Sequence, residues 1–248
     1  MIEIKTPAEI DKMRKSGKIL KSALDEVRNS IRPGITTLEL DRICEDVIKA
    51  NGGIPGFKGY SGFPNAACIS VNDEIIHGIP GDRVIQDGDI VSVDSGVLLD
   101  GWFSDSAITV IAGSPKSDED AKLVEVTEKA LYVGIENALV GNRIGDIGNA
   151  IEKFVTGFGF SLVKEYTGHG IGRHLHEDPS VPNYGRKGLG AKISVGLCIA
   201  IEPMVCAGSA DVFVEDNGWT VKTKDHSNAA HFEHTIAITD GGAVLLTA

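Results

Sequence analysis

Four apolar positions of one amphipathic helix return 107 residues later in another. Leu40, Cys44, Val47 and Ile48 map onto Ile147, Ile151, Phe154 and Val155, while Gly34 maps onto Gly141 and Thr37 onto Ile144. Each of these helices follows an earlier one. Thr6-Pro7-Ala8-Glu9 reads as a capping box with proline at the first helical position, and Met13, Leu20, Leu24 and Val27 keep helical spacing up to the stop at Arg32-Pro33-Gly34. Thr36 with Glu39 opens the second helix, which Asn51-Gly52-Gly53 ends. Ser117 and Asp120 open a third, carried by Leu123, Val126, Ala130 and Val133, and the fourth follows Gly141. Two helices and then strands, twice over, predict an α+β fold of two duplicated halves, about 1–113 and 114–248, in one domain spanning 1–248. Helices would cover one face of a largely antiparallel sheet.

Polar residues interrupt this apolar framework at a few places. In the stretch Val91 to Asp105, a strand Ile90 to Val93 and a second strand Ala107 to Ile111 flank Asp100-Gly101, a dipeptide suited to a tight hairpin turn. Centring the turn at Leu99/Asp100 sets Asp94 opposite Asp105, with Cβ atoms roughly 4.5–5.5 Å apart. Two carboxylates that close between apolar strands repel, and two divalent cations about 3.5–4 Å apart would fit between them. The plainer alternative is an exposed turn with two solvated aspartates.

Glu202 ends the apolar run Leu197 to Ile201 and is held extended by Pro203. A lone carboxylate there is costly unless it is paired or bound to a metal. His169 lies between Gly168 and Gly170 in what reads as a flexible loop that leaves its ring accessible. His174 and His176 point to one side if their segment is extended, and spacing does not choose between them. His77 stands where a strand breaks at Gly78-Ile79-Pro80, a place where a structural role is the commoner one. Tyr60, Phe63 and Cys68 fit either core or pocket lining. A final strand from Ala230 to Thr239 alternates and puts His231, Glu233 and Thr235 on one polar face, ordinarily a solvent face. Asp94, Asp105, His169, Glu202 and Glu233 together suit two hard-to-borderline divalent ions such as manganese, iron(II), cobalt or zinc.

Composition narrows the classes. A net charge of −11 argues against nucleic acid as the main ligand. No apolar run has the 18 or more residues of a membrane helix, and the N-terminus lacks signal or transit character. Cys44, Cys68, Cys198 and Cys206 form no CxxC pair, which suits a reducing compartment, so the expected location is the cytoplasm.

HGIP at 77–80, VDSG at 93–96, FSD at 103–105, GHGIG at 168–172, IEP at 201–203 and FEHT at 232–235 occur in an order that resembles the type I methionine aminopeptidases of the pita-bread, or M24, metallopeptidases. The match runs nearly end to end. The resemblance implies that Asp94, Asp105, His169, Glu202 and Glu233 bind two divalent metal ions. It implies that His77 and His176 contact the substrate and the developing tetrahedral centre, and that Tyr60, Phe63, Cys68 and Trp219 line a methionine pocket. A metal-bridging water or hydroxide would be the nucleophile, with Glu202 shuttling its proton. The implied activity removes the N-terminal methionine of nascent chains, at the ribosome, when the second residue is small, and the implied enzyme is a monomer. Leu175 and Ser61 depart from the family pattern, where an aromatic and a histidine are frequent. The interval from His176 to Glu202 leaves no room for the helical insertion of the type II enzymes, and no N-terminal extension of the kind some type I members carry is expected. Pita-bread relatives that cleave before proline or act on creatine usually carry a further N-terminal domain, which 248 residues do not accommodate. Non-catalytic members have lost ligand positions that are all filled here.

Overall fold

The structure, a computed structural model, describes residues 2–248. Its four α-helices are α1 (Pro7–Ser30), α2 (Thr37–Ala50), α3 (Asp118–Glu136) and α4 (Ile144–Thr156). The capping boxes form as their sequences predict, with the Thr6 and Thr36 hydroxyls accepting from the Glu9 and Glu39 amides. Ser117 accepts from the Asp120 amide at the head of α3. Thr37 and Ile144 are the first residues of α2 and α4, so the sequence offset coincides with a helix boundary. Helix α1 ends slightly before the expected stop, because Pro33 excludes the helical region for the residue preceding it.

The helices pack on a nine-stranded antiparallel sheet. Its main path runs Ile54–Pro55, Ile90–Leu99, Trp102–Ile111, Glu233–Thr239, Cys198–Ile201, Gly168–Gly170, Glu177–Val181. Strand Ala67–Val71 also pairs with Ile90–Leu99, and Gly242–Leu245 with Glu233–Thr239. Leu20, Leu24, Leu40 and Ile48 of α1 and α2 pack with Val91, Val93 and Val97 in one buried cluster. Leu123, Val126, Ile147 and Ile151 of α3 and α4 pack with Ile199, Ile201, Ile236 and Ile238 in a second. Side chains alternate across a strand, so the residues between these apolar ones face away from the helices. Asp94 is one of them.

The hairpin register differs from the expected one. Leu99 pairs with Trp102 across Asp100-Gly101, whose φ values of 50° and 79° are those of a type I′ turn. Asp105 therefore lies opposite Gly96, and Asp94 opposite Ala107. A shift of two residues preserves the face, so the aspartates are diagonal neighbours on the side away from the helices.

The expected single strand Ala230 to Thr239 is divided at Phe232. Ala229–His231 pairs with Met204–Cys206 in a small sheet, whereas Glu233–Thr239 lies in the large one. The opposing strand is divided at the same level by Glu202-Pro203. Pro203 has no N–H to give to the ladder, which is why both strands are interrupted there. The register carries through nonetheless: His234 pairs with Ile201 before the gap and His231 with Met204 after it. That register sets Glu233 opposite Glu202.

Candidate metal centre

The face of the sheet turned away from the helices carries a row of acidic side chains. Asp94 and Glu233 both lie opposite Ala107, on either side of the strand that bears Asp105, and Glu202 follows across the next strand. Asp105 and Glu233 are 3% and 2% exposed, so the polar face of the last strand is the wall of a buried cleft and not a solvent face. The Asp105 backbone is tied to its neighbour strand, its amide donating to Thr235 Oγ1 at 2.9 Å and its carbonyl accepting from the same hydroxyl at 2.8 Å.

His169 completes the row from a strand, Gly168–Gly170, and not from a flexible loop. Its flanking glycines answer a packing need. A Cβ on Gly168 would stand 2.4 Å from the Ala200 carbonyl oxygen, and one on Gly170 would stand 2.1 Å from that of Asp178. The ring is buried, and Nδ1 lies 2.8 Å from the Gly170 carbonyl oxygen. A carbonyl can only accept, so Nδ1 carries the hydrogen and Nε2 presents its lone pair to the cleft. Nε2 stands 3.5 Å from Glu202 Oε1 and 3.7 Å from Asp105 Oδ2. Ligand atoms of Asp105, His169 and Glu233 all lie within 4.8 Å of one another.

Such a cluster consists of acceptors facing acceptors. Asp94 Oδ1, Asp105 Oδ1 and Glu233 Oε1 are buried without a hydrogen-bond partner. Burial pushes the Asp94 carboxyl up to about 7 and those of Asp105, Glu202 and Glu233 well above the usual carboxylate range, with mutual repulsion adding to the last three. The same burial lowers His169 to about 4, keeping it neutral and free to ligate. Four carboxylates and a neutral imidazole converging on orphaned oxygens fit divalent cations, which would replace the protons that the bare cluster has to hold.

A cavity of about 210 Å³ opens on this row, and all eleven residues singled out from the sequence line it. Phe63, Cys68 and Trp219 form an apolar end together with Phe57 and Leu175, the Phe63 and Trp219 rings meeting edge-on at 5.2 Å. His77, at φ 60°, is half-buried beside Trp219 with its pKa lowered to about 4 by desolvation. The segment around His174 and His176 is bent and not extended, so the two rings part: His174 is exposed away from the cavity while His176 lines it. His176 meets His169 edge-on with ring centroids 4.3 Å apart, and its Nδ1 lies 2.8 Å from the Tyr60 hydroxyl. Tyr60 is thus both a wall of the cavity and a partner of His176. Ser61 and Leu175, the two departures from the family pattern, also line the cavity. Residues that the sequence did not single out are Tyr166 and Thr167, just before the Gly168 strand, and His231 behind Glu202. The alternation that places Glu233 also places His231 on the same face, but it gives no sign of a partner.

The chain matches the metallopeptidase family M24 over residues 11–240. It is 49% identical to the methionine aminopeptidase of Clostridium acetobutylicum, covering 100% of this chain and 99% of that one. It is 50% identical to methionine aminopeptidase 1 of Bacillus subtilis, with the same coverage. The crystal structure of a methionine aminopeptidase from Thermotoga maritima superposes with a TM-score of 0.98 at 46% identity, covering 100% of this chain and 99% of that one. A prolidase from Pyrococcus furiosus shares the fold at a TM-score of 0.79 and 24% identity, with this chain covering 65% of its length. The curled sheet with its helices on one side is the pita-bread fold. On the breadth of these matches, the chain belongs to metallopeptidase family M24.

Proposed function

We propose that the chain is a methionyl aminopeptidase, removing the N-terminal methionine from nascent proteins and peptides when the second residue is small. The observation that carries this reading is one cavity whose apolar end abuts a row of four carboxylates and an imidazole, with Asp105, Glu233 and His169 buried and Asp94 and Glu202 half-buried. Asp94, Asp105, His169, Glu202 and Glu233 would hold two divalent ions, with cobalt, manganese, iron(II) and zinc all compatible with such donors. Ions bound there supply Lewis acidity and lower the pKa of a water into the neutral range.

The remaining work falls to the chain's own groups. The Phe63–Trp219 edge pair, with Cys68 and Leu175, accepts an unbranched thioether side chain and gains from sulfur–aromatic contact. Glu202, buried at the end of its strand, takes a proton from the attacking water and delivers it to the departing amine. His77 and His176 hold the peptide carbonyl and stabilise the oxygen that gains charge. The Tyr60 hydroxyl orients the His176 ring through Nδ1 and so leaves Nε2 for the substrate. A crowded site beside the methionine pocket would disfavour a bulky second side chain.

The enzyme acts as one catalytic domain, residues 1–248, with halves at about 1–113 and 114–248, as a monomer in the cytoplasm on chains emerging from the ribosome. Its net charge of −11 speaks against direct nucleic-acid binding, and no helix among the described residues is long and apolar enough to cross a membrane. The test is hydrolysis of Met-Ala-Ser, Met-Leu-Ser and Ala-Pro-Ser after metal removal and after manganese or cobalt is restored. Metal-dependent release of methionine from Met-Ala-Ser, with little from Met-Leu-Ser, is the expected result. Cleavage of Ala-Pro-Ser alone would reassign the chain to proline-specific hydrolysis, and no cleavage under any metal would overturn an enzymatic role.

A further inference from the structure

His231 is 1% exposed, and neither of its ring nitrogens has a hydrogen-bond partner. A buried polar ring without partners in so polar a neighbourhood calls for a reason. The continuous register supplies its place: His231 pairs with Met204 and Glu202 stands opposite Glu233, so His231 is the diagonal neighbour of Glu202 across the pair. Its Nε2 lies 3.7 Å from Glu202 Oε2, while Glu202 Oε1 lies 3.5 Å from His169 Nε2. Glu202 is therefore stretched between two imidazoles, one inside the cleft and one behind it.

The backbone at His231 has little freedom. Its amide donates to Thr109 Oγ1 at 3.1 Å, and Thr109 Oγ1 donates to its carbonyl at 2.6 Å. Glu202 is held at its own carbonyl by Asn183 Nδ2 at 2.9 Å and followed by Pro203. With both backbones pinned, a small rotation of either side chain brings Nε2 and Oε2 from 3.7 Å to hydrogen-bond distance. The tautomer protonated on Nε2 satisfies the one donor of a neutral ring.

We propose that His231 is a positioning residue for Glu202: it donates to Oε2 from behind the cleft and so turns Oε1 toward the metal centre. The inference rests on the metal-site reading above. Outer hydrogen-bond partners of ligating carboxylates commonly set metal affinity by about 10–100-fold.

The experiment compares wild type, His231→Met and His231→Gln, two side chains of similar length of which only the second can donate. Manganese is titrated calorimetrically into each metal-free protein, and kcat and KM are measured on Met-Ala-Ser. The expected result is manganese affinity about 10–100-fold weaker in His231→Met and mostly restored in His231→Gln. The loss of turnover falls on kcat, with KM within about two-fold. Equal manganese affinity in wild type and His231→Met overturns the proposal, as does a Gln variant no better than Met. If circular dichroism shows His231→Met unfolded, His231→Leu takes its place against the same Gln variant. The manganese titration does not depend on peptide cleavage. A wild type that binds manganese but cleaves nothing overturns the aminopeptidase reading alone, and one that binds no manganese overturns the metal site and this inference with it.

Discussion

Glu202 is the residue at which local sequence and chemistry meet most directly. The apolar run before it makes a buried strand, and the proline after it stops the ladder at the level of the cleft. In the metal-free protein its carboxyl is held well above the usual range by burial and by Asp94. Glu202→Gln keeps the shape and removes the basicity. At saturating manganese, we expect kcat on Met-Ala-Ser to fall by about 10²–10⁴-fold, the range of general acid–base catalysis. Metal content measured on the same samples separates this loss from a loss of the ions. Unchanged turnover with the metal retained would refute the proton-transfer role. The five candidate ligands, Glu202 among them, could be collected by residue type, but His169 was read in a loop and Glu233 on a solvent face, and the partner of His231 was not legible, because what a side chain meets across a sheet is a tertiary fact.

At the scale of the element, the Gly168–Gly170 strand shows how the same residues admit two readings. Glycines around a histidine suggest flexibility, yet here they lie in a strand with no room for a Cβ. They allow the strand to approach the Ala200 and Asp178 carbonyls more closely than any Cβ would permit. Gly170→Ala would force the strand from its neighbour and carry His169 with it. Overpacking of this kind costs about 1–3 kcal/mol, and we expect a lowered Tm together with weaker manganese binding. Thermal unfolding with calorimetric titration checks this, and wild-type behaviour in both would return these glycines to the role of flexible hinges. The helices were the most legible elements, since capping boxes and a four-residue apolar spacing act within a few residues of one another. The hairpin register was legible too, since a two-residue Asp-Gly turn pairs Leu99 with Trp102, and the expected centre at Leu99/Asp100 was displaced from it by two residues in pairing.

For the whole molecule, the acid row is a liability that a metal converts into cohesion. Asp94, raised to about 7, and Asp105, Glu202 and Glu233, raised well above the usual carboxylate range, make the metal-free fold bind more protons than the unfolded chain. Their contribution to stability therefore falls as pH rises through those folded values. Buried and half-buried histidines act the other way. His77, His169 and His234 at about 4 and His231 at about 3 favour the fold as pH rises, up to their unfolded value of about 6.5. Above about pH 7 the histidine contribution is flat and the carboxyls dominate. The Tm of the metal-free protein should fall as the pH is raised through about 7, the folded value of Asp94, and manganese should remove most of that fall. Scanning calorimetry with and without chelator measures both, and a metal-free Tm that holds steady or rises would contradict this account. The chain by itself determined its helices, the apolar strands of its sheet, the offset between its halves and the identity of its acidic residues, all of which depend on neighbours close in sequence. Only the tertiary structure decided that Glu233 faces a buried cleft instead of solvent, that His176 and not His174 enters it, and that His231 stands behind Glu202. Those outcomes depend on which strand lies beside which, and a period-two alternation marks two faces without saying which one the rest of the chain will cover.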